Sequence, residues 1–223
     1  MTKLLRHLPS ALGLAVLTFF TSAIYAPQVL AFPHKLEVAG STVWYEASQD
    51  TQAIERVVKR ANALVAATPI SNGQERKHIF LTDGGWRWNV LALNARRAFG
   101  LTRPLTDPVI IVNRSDAATD MTWRDDTIAA ERKLSGVIAH EAMHGILRDR
   151  YGIVATTLAP QWLVEGYCDY VTGDSSLSDE EAAQLERENP SHPALPYYHG
   201  RNRVAELLEE NGGDVDALFA KQG

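Results

Sequence analysis

Two histidines four residues apart, His140 and His144, stand in the stretch VIAHEAMHGIL (137–147), with Glu141 directly after the first. An α-helix advances about 3.6 residues per turn, so positions i and i+4 share a face. The two imidazoles then stack one turn apart and can aim nitrogens at one point, while Glu141 lies about 100° further round, beside that point. A zinc hydrolase needs this arrangement: neutral imidazoles as ligands and a carboxylate placed to take a proton from water. The pattern is short, and a plain helix carrying histidines can produce it. The flanks support a helix. Leu134, Ile138, Ala142 and Ile146 repeat every four residues, and Gly152 suits a left-handed helix end. Its start is open between a cap at Asp125, Asp126 or Thr127 and a cap at Ser135.

A catalytic zinc needs a third protein ligand and an open position for water. The stretch PQWLVEGYCDYV (160–171) reads as a second helix, with Pro160 in its first turn and Trp162, Leu163, Tyr167 and Tyr170 as bulk. Glu165 and Asp169 are again four apart. Glu165 can reach a metal. Asp169, one turn on, can accept a hydrogen bond from the far nitrogen of a ligand histidine and fix its tautomer. A solvated acidic face is the alternative, and Gly166 with its large apolar neighbours argues for burial instead. Cys168, the chain's one cysteine, is either a further zinc ligand, which would close the site, or a small residue packed as an apolar group; packing is the reading adopted.

Taken together, His140-Glu141-x-x-His144, 20 intervening residues and Glu165-Gly166-x-x-Asp169 resemble the gluzincins, zinc metallopeptidases that include the thermolysin-type and aminopeptidase-type enzymes. The likeness covers about residues 135–172. It implies one zinc ion on His140, His144 and Glu165, Glu141 as general base, Asp169 behind a ligand histidine, and a peptide or protein substrate. Val164 departs from the family, where many members carry asparagine before the glutamate and use it to hold the substrate backbone. Gluzincins also place a tyrosine or histidine downstream to donate to the developing oxyanion. PYYHG (196–200) offers Tyr197, Tyr198 and His199, and Tyr198 ranks first and His199 second. A metzincin would carry glycine and a third histidine where this chain has Leu147 and Arg150. A peptide deformylase would carry its cysteine ahead of the helix. The function expected is zinc-dependent peptide hydrolysis; the alternative is a non-catalytic zinc-containing binding or assembly protein on the same scaffold.

The remaining chain sets the context. Its 223 residues, 45% apolar and 22% charged, suit one globular catalytic domain after an N-terminal segment. A net charge of −5 without a basic block argues against a nucleic-acid partner. Residues 1–31 open with Lys3 and Arg6, continue as a mostly apolar run from Leu8, and end in VLA before Phe32. They read as a secretory signal cut after Ala31, with retention as a membrane anchor as the alternative. The run from Ala11 to Ala26 is 16 residues, short of the roughly 20 needed to span a bilayer. The protein is therefore expected to be periplasmic or secreted, and at a membrane only if this segment is kept. One cysteine allows no internal disulfide.

The pattern predicts an α+β order: a small mixed sheet, the two histidine- and glutamate-bearing helices, then a helical C-terminal part. Strands are expected at 41–47, 78–83 and 108–113 and helices at 50–67 and 86–99, the last stopped by Gly100. Residues 109–113 are either a plain core strand or the strand that borders the cleft and pairs with an extended peptide. Residues 175–196 read as a linker, 197–213 as a helix and the end as a short helix to Phe219. The acidic runs at 179–181 and 209–210 read as solvated helix faces.

Overall fold

The computed structural model describes residues 8–73, 77–103, 109–125 and 129–222. The fold is α+β. In chain order, α1 (Leu8–Tyr25) leads through a 3-10 turn (Pro27–Leu30) to β1 (His34–Val38), β2 (Ser41–Tyr45), α2 (Thr51–Ala66), β3 (His78–Leu81), α3 (Trp86–Ala92), β4 (Gly100–Thr102) and β5 (Val109–Val112). Three short strands follow, β6 (Arg114–Asp116), β7 (Met121–Trp123) and β8 (Glu131–Lys133). Helices complete the chain: α4 (Leu134–Tyr151), α5 (Ile153–Leu158), α6 (Gln161–Thr172), α7 (Asp179–Glu188), α8 (Leu195–Glu210) and α9 (Val215–Gln222).

The larger sheet runs β1-β2-β3-β5-β4, parallel through β2, β3 and β5 and antiparallel at both edges. Side chains alternate across a sheet, so each strand feeds two cores. Val43, Ile79, Ile110 and Val112 face α2 and α4, whereas Phe80, Val109 and Ile111 face Trp88 and Leu91 of α3. Asp50 starts α2 by accepting from the Gln52 amide at 3.0 Å, and Ile54, Val57, Val58, Ala61 and Val65 give it a buried stripe. The smaller sheet, β6-β7-β8, is antiparallel throughout and delivers the chain into α4.

Three sequence expectations need revision here. The strand at 108–113 is observed as β5, with Pro108 outside the described residues; it is interior, hydrogen-bonded to β3 on one side and β4 on the other, so it cannot accept another strand. The cleft-side edge is β4. The helix expected at 86–99 ends at Ala92 because Leu93 turns to a positive φ of 52°, after which the chain extends into β4. The linker at 175–196 contains α7, begun by a reciprocal cap in which Ser178 Oγ accepts from the Glu181 amide and Glu181 accepts from the Ser178 amide.

The N-terminal segment is tied to the back of the large sheet. Ala23 and Leu30 are buried in the Phe80–Trp88 core, and the Arg87 guanidinium donates to the carbonyls of Leu30 and Ala31, each at 2.9 Å. Among the described residues no helix is long and apolar enough to cross a membrane.

Candidate metal centre

Helix α4 supplies the first half of the site, and it is buried on nearly every side from Leu134 to Met143. Such a helix must enter its core with its free amides satisfied. Neither Ser135 nor Asp125 caps it, and Asp126 and Thr127 lie outside the described residues. Asp120 does the work from the β6–β7 turn: its carbonyl accepts from the Leu134 amide at 2.9 Å, and its carboxylate takes the Ser135 amide at 2.8 Å and hydroxyl at 2.7 Å.

Helix α6 supplies the second half and crosses α8 at two glycines. A Cβ on Gly166 would stand 2.4 Å from the Gly200 carbonyl carbon, and one on Gly200 2.6 Å from the Trp162 oxygen. Only hydrogen at both positions lets the helices approach this closely. The contact fixes Glu165, next to Gly166, against the histidines of α4, and it brings Tyr197, one turn before Gly200, over the same space.

The histidine nitrogens divide cleanly. Nε2 of His140 lies 3.1 Å and Nε2 of His144 3.5 Å from one oxygen, Glu165 Oε2. Their far nitrogens point elsewhere: His140 Nδ1 is 2.7 Å from Asp169 Oδ1, and His144 Nδ1 is 3.8 Å from Cys168 Sγ. His140, His144 and Cys168 form a group that could hold a metal ion, with one ligand atom from each lying within 4.8 Å of the others. The sulfur, however, sits behind His144, on the ring edge opposite Glu165. Glu141 is buried, lines the same cavity as the two histidines, and has no hydrogen-bond partner among the described residues.

A buried charged chain backs His140. Arg132, at the base of β8, donates through Nη2 to Asp169 Oδ1 at 2.9 Å and to the Asp174 carbonyl at 3.1 Å. Burial alone would push the Asp169 carboxyl up, but Arg132 and His140 outweigh it and hold it below the usual aspartate range. Burial likewise opposes charge on His140; Asp169 and Glu165 reverse the balance and raise its pKa to about 10. The same histidines overcome desolvation at Glu165 and keep it well below the ordinary glutamate range. Glu141 moves the other way, raised chiefly by burial. Burial, reinforced by the charges of Glu165 and Asp169, pushes the Cys168 thiol well up.

A cavity of about 570 Å³ opens over this centre, bounded by the β4 edge strand on one side and by Pro193, Ala194 and Tyr197 on the other. A Cβ on Gly100 would meet Val137 at 2.8 Å and the Glu141 side chain at 3.2 Å, so the edge strand passes directly over Glu141 only because residue 100 is glycine. Tyr197 lines the cavity with its hydroxyl 3.4 Å from Gln161 Nε2. Burial, then the charge of Glu165, lifts its pKa to about 12, and it remains a proton donor.

The structure thus brings together His140, Glu141, His144, Glu165 and Asp169. It does not bring Tyr198 or His199 to them. Tyr198 donates to Asp179 at 2.7 Å, and His199 pairs with Glu186 at 3.2 Å on the exposed face of α8. The physical reason is helical phase: α8 begins at Leu195, so the three side chains fan out about 100° apart and only Tyr197 points inward. No family model matches the chain, and no curated protein or solved structure is significantly similar to it. The geometry of the site therefore carries the functional reading.

Proposed function

We propose that the chain is a zinc-dependent metallopeptidase of gluzincin type. The observation that carries this reading is the convergence of two imidazole Nε2 atoms and one carboxylate oxygen, with a buried carboxylate, unpartnered among the described residues, lining the same cavity. His140, His144 and Glu165 are the donors that fit zinc: two imidazole nitrogens and a carboxylate oxygen, with a side left open to the cavity. Cys168 stands apart from this set: its sulfur is 3.8 Å from Nδ1 of His144, whereas Nε2 of the same ring faces Glu165. When bound, the ion supplies Lewis acidity and lowers the pKa of water to about 7 in well-studied zinc hydrolases.

The chain's own groups do the rest. Glu141 takes the proton of the attacking water and hands it to the leaving amine; among the described residues no hydrogen bond holds its carboxylate away from this role. Asp169 holds the Nδ1 proton of His140 so that Nε2 keeps its lone pair outward. Tyr197, protonated at working pH, donates its hydroxyl to the oxyanion that develops on the scissile carbonyl. The exposed edge of β4 pairs with an extended peptide and lays it across Glu141. Val164, which lines a second recess of about 260 Å³ beside His144, offers an apolar wall where many gluzincins use asparagine.

The N-terminal segment supports export. Burial of Pro27 and Leu30 supports retention of residues through Ala31 over a cut after it, which the mass of the exported protein would reveal.

The test is zinc analysis together with cleavage of a broad peptide library. Glu141→Gln should keep zinc and lose about 10²–10⁴ in kcat. Tyr197→Phe should lose about 10² with zinc content unchanged. Equal cleavage by wild type and Glu141→Gln would contradict the base role, and zinc binding without any cleavage would favour the binding-protein reading.

A further inference from the structure

Helix α4 does not end its functional face at His144. Arg148 follows one turn later, so His140, His144 and Arg148 form an i, i+4, i+8 row along one side of the helix. Arg148 lines both the large cavity over Glu141 and the smaller recess beside Val164, and so stands on the ridge between them.

Among the described residues no carboxylate is in ion-pair contact with the Arg148 guanidinium. Nη2 makes two long contacts, to Thr102 Oγ1 at 3.3 Å and to the Arg103 carbonyl at 3.5 Å, both neutral acceptors at the end of β4. The side chain is partly buried, and burial pulls its pKa down. Three other arginines, Arg97, Arg124 and Arg132, line the large cavity and are placed differently: Arg124 stacks on Phe99 and has Nη1 3.5 Å from the Arg97 carbonyl, at the end of the cavity formed by residues 97–99. Arg132 is bound to Asp169, and Arg150, two residues on, is paired with Asp216. Of the acidic groups of the cavity, Glu165 is committed to the histidines and Asp169 to His140 and Arg132, while Glu141 and, outside the cavity, Asp149 act on Arg148 only through space, raising its pKa against burial. A half-withdrawn guanidinium offers several N–H donors in a planar fork, and a carboxylate is the ligand that matches it.

We propose that Arg148 is the anchor for a substrate carboxylate, so that the cleft selects peptides bearing an acidic side chain or a free C-terminal carboxylate near the bond to be cut. The inference rests on the metallopeptidase reading of the same site and names its substrate class. Thr102 joins the two parts. It belongs to the edge strand on which an extended peptide pairs, and its hydroxyl holds the guanidinium at the end of that strand.

Two peptide series separate the carboxylate sources. One has blocked ends and carries Glu or Gln at each position; the other is neutral throughout and ends in a free acid or an amide. The zinc-loaded full chain is assayed for kcat/KM, and the metal-free full chain is assayed for binding of the same peptides by fluorescence anisotropy. In at least one series the carboxylate form should be favoured about 10- to 100-fold in both readouts, the range of a charge-assisted hydrogen-bonded pair. Arg148→Gln should bring the ratio to about one. Should that variant fail to fold, Arg148→Lys decides: a point charge cannot bind in bidentate fashion, so the ratio should drop several-fold. A binding preference without any cleavage would sustain this inference and defeat the peptidase reading. Cleavage with no carboxylate preference, or a preference that survives Arg148→Gln or is unchanged in Arg148→Lys, would overturn it.

Discussion

His140 and His144 sit one turn apart on the same helix and aim the same nitrogen at the same glutamate oxygen, yet what stands behind them differs. Behind His140 is a buried ion pair, Asp169 with Arg132, which is backed in turn by the Asp174 carbonyl and, at 3.7 Å, its carboxylate. Behind His144 is the Cys168 thiol at 3.8 Å. The first arrangement is directional and expensive to break, because removing one member strands another charge away from water. The second is weak and tolerant. One imidazole is thereby locked in orientation, while the other is held by packing and by the geometry of α4. The difference teaches that the ligand set is supported unequally, and that damage on the two sides should be unequal too.

The largest effect should follow from Asp169→Ala. It leaves buried Arg132 with only the more distant Asp174 carboxylate at 3.7 Å, and breaking such a buried pair costs about 3–5 kcal/mol in denaturant unfolding. The milder Asp169→Asn should lose zinc to a chelator about 10- to 100-fold more readily than wild type. The pH dependence has a definite sign. The folded Asp169 pKa is depressed, so its stabilisation is present above the ordinary aspartate value and is lost as pH falls through the folded value. The stability gap between wild type and Asp169→Asn should therefore close in acid, below the usual aspartate range; a gap constant down to strongly acid pH would show that the charge is not what stabilises. Gly166→Ala comes next and should spare neither histidine. Its Cβ collides with the Gly200 backbone, an overpacking that costs about 1–3 kcal/mol and displaces Glu165 and Tyr197 together. Unchanged stability and zinc affinity would mean that α6 and α8 do not need their close crossing. Cys168→Ala should be smallest, a two- to fivefold change in zinc affinity for loss of an S–H or S-acceptor contact worth about 0.5–1 kcal/mol. A loss as large as that of Asp169→Asn would erase the asymmetry.

Much of this centre was legible in the sequence because helical spacing is a local property. His140, Glu141, His144, Glu165 and Asp169 fall on two long helices whose phase follows from counting, and α2 announces itself by Asp50 and its apolar stripe. What escaped depends on distant parts of the chain. Strands β6 to β8 are three residues each and largely polar, so no alternation marks them. The cap of α4 is Asp120, from a turn 14 residues before Leu134. Helix α7 did carry a local signal, Ser178 followed by Glu181, inside a stretch read as linker. Tyr197 and Tyr198 are chemically identical neighbours, and only the true start of α8 at Leu195 decides which one enters the cavity. For 109–113 the sequence leaves a core strand and a cleft-side strand open; the first is observed, and the strand beside Glu141 is β4, whose Gly100 looks in sequence like a helix stop.

The ligand set itself can be read directly by X-ray absorption at the zinc edge of the zinc-loaded protein. The account predicts a shell of nitrogen and oxygen alone, two imidazoles at about 2.0–2.1 Å with carboxylate and water oxygens at about 2.0–2.2 Å, unchanged in Cys168→Ala and disrupted in Glu165→Ala. A sulfur scatterer at about 2.3 Å that disappears in Cys168→Ala would place the metal on His140, His144 and Cys168 instead, and would contradict the catalytic centre described for this chain.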